Sequence, residues 1–213
     1  MSERGREYCG LHVLVDDDPR WERGPVEQAR LACLARVPVV QLRAKYATDE
    51  QCLEWAKDIR ALTRAADTRF VVNDRFDIAL LAEADAVHLG QTDLPPSAIP
   101  ADFRKRLAIG RSTHTEAQLQ AARAEDIDYV AFGPVFGTTS KESEFGARGL
   151  EAVSLAARLA APRPLIAIGG IQQKDLSDLR KAGVGGFAVI SAIAGSTDPT
   201  REARRFIEGF EHD

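Results

Sequence analysis

The chain has 213 residues, a formal net charge of −4, 45% apolar and 28% charged side chains, 16 Gly and 10 Pro. So much apolar surface excludes disorder as the main state, and the length suffices for one well-buried core. Weak acidity speaks against sequence-independent nucleic-acid binding, and no run approaches the ~18–20 apolar residues of a membrane span. The opening residues, MSERGREYCG, lack the apolar centre of a secretory signal, so a cytoplasmic protein with a flexible tail over 1–10 is expected. Cys9, Cys33 and Cys52 are odd in number and form no CxxC pair, which argues against a disulfide scaffold or a zinc knuckle.

In chain order, short β-branched runs alternate with amphipathic stretches. Strands are predicted at Leu11–Val15, Val37–Leu42, Phe70–Asn73, Ala86–Leu89, Leu107–Gly110, Tyr129–Phe132, Leu165–Ile168 and Phe187–Ile190. Helices are predicted at Val26–Arg36, Asp49–Ala66, Phe76–Ala84, Pro96–Arg106, Glu116–Glu125, Leu150–Leu159, Gln172–Ala182 and Thr200–Gly209. Thr48 with Gln51, and Thr113 with Glu116, fit capping boxes, and Gly183 follows Lys181 where a helix should stop. Eight strand–helix units without a linker predict one α/β domain over 1–213, a single-domain TIM (β/α)8 barrel. An open doubly wound sheet is the competing fold, but no G-x-G-x-x-G turn follows the first strand.

A barrel of this kind carries its chemistry at the C-terminal ends of its strands. Those ends are polar: Asp16, Gln41 to Lys45, Asn73-Asp74-Arg75, Gln91-Thr92-Asp93, Arg111 to His114, Thr138 to Lys141, Gly169-Gly170 and Ser191. The strand entries, such as Arg36-Val37-Pro38 and Ala84-Asp85, are blander. This asymmetry points to an enzyme. Alternation places Gln41, Arg43 and Lys45 on one face, with Val40 and Leu42 on the other. The two cations either pair with the rim carboxylates Asp74 and Asp93 or meet an anion; the arrival of Lys141 at the same rim favours an anion.

Asp74 and Asp93 end neighbouring strands and suit Mg²⁺ beside a polyphosphate; equally, Asp74 could cap a helix and Asp93 form a turn. Gly169-Gly170 and Ser191, after strands seven and eight, fit a phosphate site built from backbone N–H groups, although a plain tight turn would use the same glycines. Ser112 could touch substrate or belong to a helix cap. His114 has no evident acidic partner for nucleophilic catalysis, His88 reads as a hydrogen-bonded core residue, and His12 and His212 carry no signal.

The segments VVQLRAK (39–45), VVNDRFDIALLAEADAVHLGQTDLP (71–95), IGRSTH (109–114), DYVAFGPVFGTTSK (128–141), IAIGGI (166–171) and GFAVISAI (186–193) resemble the thiamine phosphate synthase family, in register from about residue 11 to 199. The resemblance implies a Mg²⁺-dependent transferase that joins a pyrimidine diphosphate to a thiazole phosphate, with pyrophosphate leaving first. It implies that the stretch Gln41-Leu42-Arg43-Ala44-Lys45, with Asn73, holds the pyrimidine diphosphate and that Asp74 and Asp93 bind the metal. Ser112 would contact the pyrimidine and Lys141 the pyrophosphate; Arg43, Lys45, Ser112 and Lys141 form the catalytic set. Thr138, Thr139, Ser140, Gly170, Ile190 and Ser191 would hold the thiazole phosphate.

Small-molecule substrates are the implied partners, with no nucleic acid and no membrane, and a homodimer is compatible with so compact a barrel. Where the family commonly has Glu, this chain has Ala44, which alternation turns away from Arg43. The acidic loop KESEFGARG (141–149) and the GRS at 110–112 also resemble the sister thiazole tautomerases, which isomerise the ring with a histidine in the FGxVF segment. Pro134 stands there, and Asp93 is present, which favours the synthase. A catalytically silent barrel binding thiazole or thiamine phosphate is the remaining alternative, and the intact cation and carboxylate set speaks against it.

Overall fold

The structure, a computed structural model, describes residues 3–137 and 146–211. Eight parallel strands close into a barrel in sequence order: β1 (Gly10–Asp16), β2 (Val39–Arg43), β3 (Arg69–Asn73), β4 (Ala86–Leu89), β5 (Ala108–Thr113), β6 (Tyr129–Phe132), β7 (Leu165–Ile168) and β8 (Gly186–Val189). The helices are α1 (Glu3–Arg6), α2 (Pro25–Leu34), α3 (Asp49–Ala65), α4 (Phe76–Leu81), α5 (Ala101–Arg104), α6 (Glu116–Arg123), α7 (Gly149–Ala160), α8 (Leu176–Lys181), α9 (Ser191–Ala194) and α10 (Pro199–Glu211). Among the described residues no helix is long and apolar enough to cross a membrane.

Alternation along each strand sorts the core into two compartments. On β2, Val40 and Leu42 join the shell beneath the helices, while Val39 faces the barrel interior with Val71, Ala86, Ala108, Tyr129, Ala131 and Ile166. The interior alanines leave room for two aromatic rings, Tyr8 and Tyr129, stacked with centroids 5.2 Å apart. The expected flexible tail is therefore corrected from residue 3 onward. Residues Glu3–Arg6 form α1, and Tyr8 closes the barrel floor at 1% exposure, its hydroxyl donating to the Asp85 carbonyl at 3.1 Å. Burying a ring of that size contributes on the order of 2 kcal/mol, enough to hold a short segment down.

The strand entries do structural work that their plain sequence concealed. Asp85 accepts from the Phe70 N–H and from Arg60 Nη1, both at 2.8 Å, and Asp128 accepts from the Ile109 N–H at 2.8 Å while pairing with Arg104 at 3.0 Å. The capping box of Thr48 and Gln51 forms as predicted. The one expected at Thr113 does not: Thr113 lies inside β5 and donates to the Ala131 carbonyl at 2.9 Å, and Thr115 caps α6 by accepting from the Gln118 N–H. The predicted helix at 96–106 is broken into a 3-10 turn at Pro96–Ala98 and the short α5. Pro100 forces Ile99 into an extended conformation and supplies no N–H.

Candidate active site

The C-terminal ends of the strands open into a cavity of about 1330 Å³ that reaches from the rim loops to His12 and Tyr129 inside the barrel. Gln41, Arg43, Lys45, Asn73, Asp74, Asp93, Ser112, Gly170, Ile190 and Ser191 all line it, so the expected site residues that are described meet at one mouth. Two do not. Leu42 and Ala44 pack into the shell beneath the helices, as alternation requires, and neither reaches the cavity. Thr138, Thr139, Ser140 and Lys141 lie outside the described residues, as does His212.

Each cation at the β2 exit already has a carboxylate. Arg43 pairs through Nη1 with Asp16, and Lys45 through Nζ with Asp74. The pairing with Asp93 considered for these cations gives way, for Arg43, to Asp16, opposite it in the register of β1 and β2. Asp16, 2% exposed, also accepts from Trp21 Nε1 at 3.1 Å and from the Asp18 N–H at 2.9 Å. Asp17 binds the loop after β2, accepting from the N–H groups of Lys45, Tyr46 and Ala47 at 2.8 Å each. Neither role was assigned from sequence, because both partners lie across the β1–β2 junction, 27 to 30 positions away.

On β3 and β4 the side chains are fixed as tightly. Gln41 Nε2 donates to Asn73 Oδ1 at 3.0 Å. Asp74 adopts a left-handed backbone (φ 67°), which turns its carboxylate off the strand direction toward Lys45 and Asp93. Burial opposes ionisation of Asp74, but hydrogen bonds from Lys45 and Asp93 outweigh it and hold the group below the usual carboxylate range. Asp93 moves the other way: burial and the adjoining Asp74 carboxylate raise it, against the Gly90 N–H, which donates to Oδ2 at 2.6 Å. The β4 loop is further held by Arg111 Nη1 on the Gly90 carbonyl at 2.5 Å and by Gln91 Nε2 on the Ser112 carbonyl at 2.6 Å.

Two adjoining carboxyl groups fit a divalent cation, because the cation relieves the same repulsion that pushes Asp93 upward. Among the described residues no cluster of three or more His, Cys, Asp or Glu forms a metal cage. A hard ion such as Mg²⁺ takes one or two carboxylates and fills its remaining positions with water and phosphate oxygens, so two suffice.

Across the closed ring from β3 lies β7, whose exit carries Gly169 (φ 94°) and Gly170 (φ 69°). The glycines serve a contact that spacing could not reveal. A Cβ on Gly169 would stand 2.5 Å from Pro134 Cβ, and one on Gly170 2.4 Å from the Gly137 carbonyl oxygen. The β7 turn thus lies directly on the β6 loop. After β8, the four-residue α9 begins at Ser191, a helix the sequence was too short there to signal by period.

The described histidines, His12, His88 and His114, are all held. His114 Nδ1 meets the Gly133 carbonyl at 2.7 Å; His88 meets Tyr129 Oη at 3.1 Å and Ser112 Oγ at 2.8 Å. His12, for which the sequence carried no signal, faces the barrel interior with Nε2 2.8 Å from the Tyr8 carbonyl, and burial lowers its pKa to about 4.

A closed parallel barrel with crowded polar groups at one rim, and a glycine turn plus short extra helix after strands seven and eight, belongs to the class of TIM-barrel enzymes that handle phosphorylated small molecules. Comparison with known proteins narrows the class. Residues 11–193 match the family described as thiamine monophosphate synthase, and the chain belongs to that family. A thiamine-phosphate synthase of Archaeoglobus fulgidus is 37% identical over 205 residues, covering 96% of this chain and 95% of that protein. One of Anaeromyxobacter dehalogenans is 40% identical over 202 residues, covering 95% of this chain and 88% of the relative. A thiamine phosphate pyrophosphorylase from Pyrococcus furiosus superposes with a TM-score of 0.86 at 31% identity, covering 99% of this chain and 98% of that one.

Proposed function

We propose that this chain condenses 4-amino-2-methyl-5-(diphosphooxymethyl)pyrimidine with 4-methyl-5-(2-phosphooxyethyl)thiazole, giving thiamine phosphate and pyrophosphate. The C–O bond to the diphosphate breaks first, and its electron pair leaves with pyrophosphate. The electron-rich aminopyrimidine stabilises the methylene cation, and the thiazole nitrogen closes the new C–N bond with its lone pair. Such a reaction needs no strong base or nucleophile. It needs positive charge where negative charge develops, and two substrates in line.

Arg43 and Lys45, each aimed by a carboxylate, supply charge at the β2 exit, with Lys141 reaching the departing diphosphate. Asp74 and Asp93 would hold Mg²⁺, which supplies further positive charge for the diphosphate. Gln41, Asn73 and Ser112 orient the pyrimidine. Gly170, Ile190 and Ser191 bind the thiazole phosphate on the far side, and Thr138, Thr139 and Ser140 are assigned to the same phosphate.

One observation carries the reading: the cations and the paired carboxyls open into the same cavity as the glycine turn diametrically opposite, giving one anion-seeking end per substrate. Purified protein, both substrates and Mg²⁺ should yield thiamine phosphate and pyrophosphate in equal amounts. Isomerisation of a thiazole carboxylate phosphate without condensation would overturn it in favour of the tautomerase reaction, and binding without turnover in favour of a silent barrel.

A further inference from the structure

Tyr129 sits in the barrel interior at 1% exposure, between Tyr8 below and His88 above, and its ring stacks on both at centroid distances of 5.2 and 5.5 Å. The fold reserves space for this ring. A Cβ on Gly110 would lie 2.1 Å from Tyr129 Cζ and 2.4 Å from Oη. Phenylalanine would fill the same volume without a polar atom to bury, and a buried hydroxyl is costly unless it is paired. Among the described residues Tyr129 Oη meets one polar atom, His88 Nδ1, at 3.1 Å.

That single contact fixes the imidazole. A phenol can satisfy its hydrogen only by donating it, and among the described residues the one acceptor in hydrogen-bond reach is Nδ1. If Nδ1 carried a proton instead, the phenolic hydrogen would be buried with no described group to receive it. Burial, with the nearby Tyr8 and Asp128, keeps the phenol protonated, so it stays a donor. The His88 proton then resides on Nε2, which donates to Ser112 Oγ at 2.8 Å. With one lone pair of Ser112 engaged, its own hydrogen is free to turn into the cavity that both residues line.

We propose that Tyr129 is a positioning residue: acting through His88, it commits Ser112 to meet the pyrimidine substrate as a hydrogen-bond donor, to an unprotonated ring nitrogen. The chain Tyr129–His88–Ser112 is thus a fixed relay from barrel floor to mouth, and it selects substrates that present an acceptor there. This rests on the synthase reading only for the identity of the substrate; the direction of the relay does not depend on it.

Two measurements test it. In protein labelled with ¹⁵N-histidine, His88, assigned by its loss in His88→Gln, should show an unprotonated Nδ1 and a protonated Nε2. Tyr129→Phe, which keeps the ring, should relax that preference toward a mixture of tautomers. In steady-state assays Tyr129→Phe should lower kcat/KM for the pyrimidine diphosphate on the order of tenfold, the equivalent of one hydrogen bond, and leave KM for the thiazole phosphate unchanged. The double variant Tyr129→Phe/Ser112→Ala should be no slower than Ser112→Ala alone.

A protonated Nδ1 in the unaltered protein overturns the proposal, as does an unchanged tautomer in Tyr129→Phe. Equal losses toward both substrates, additive with Ser112→Ala, would also overturn it by marking a purely structural ring. The nitrogen spectrum is read without substrates, so a chain that makes no thiamine phosphate refutes the synthase reading while the spectrum still decides the relay.

Discussion

Asp16→Asn changes one atom type in a buried cradle and isolates what the carboxylate does for Arg43. In the native site one carboxylate oxygen takes the Trp21 and Asp18 N–H groups and the other takes the Arg43 guanidinium. Asparagine can keep the first pair through its single oxygen, but its NH₂ then faces the guanidinium, donor against donor. The loss is one charge-assisted hydrogen bond, worth about 1.5–3 kcal/mol. A fully buried pair broken on one side costs about 3–5 kcal/mol, but Arg43 opens onto the cavity, where water compensates in part. We expect destabilisation of about 2 kcal/mol, read as a lower urea midpoint with unchanged slope. With its anchor gone, Arg43 samples other rotamers, and kcat/KM for the pyrimidine diphosphate should fall about tenfold or more. Stability within 0.5 kcal/mol of the parent, together with unchanged kinetics, refutes the anchoring role. Tighter pyrophosphate binding refutes it as well, since it would mean that Asp16 quenches Arg43 rather than aims it.

Three further outcomes are expected. His12, at about 4 in the fold, should make the protein lose stability as pH falls from 6.5 toward 4, because the unfolded chain takes up the proton first. The span corresponds to about 3 kcal/mol, and denaturant titrations of His12→Gln should show a flatter pH dependence; an equal slope would assign the effect elsewhere. Gly170→Ala, strained by its positive φ and by the Gly137 carbonyl, should cost at least about 2 kcal/mol by thermal melting and raise KM for the thiazole phosphate. Asp93→Asn should raise the Mg²⁺ concentration for half-maximal rate about tenfold or more, whereas an unchanged requirement would leave Asp93 as the turn former that holds the Gly90 N–H.

The barrel was legible because its determinants are local. Alternating β-branched runs set each strand, and the same period put Gln41, Arg43 and Lys45 inside and Leu42 outside, as found. What escaped depends on closure of the ring. Asp16 and Arg43 are 27 positions apart on neighbouring strands, His88 and Tyr129 41 on the two strands that flank β5, and only the closed ring brings them together. Tyr8 escaped for another reason: the residues before β1 carry no period, and only the space left by Ala86 and Ala108 explains why a ring belongs there. The continuous helix expected over 96–106 failed through Pro100, whose local veto outweighed the amphipathic pattern around it.

Asp85 and Asp128 fasten the beginnings of the strands to Arg60 and Arg104 without lining the cavity at the other end. The molecule thereby splits its labour between a clamped base and an exchangeable crown. Loop swaps on the crown can retune which phosphorylated partners are accepted, while the chassis that keeps the eight staves in place goes untouched.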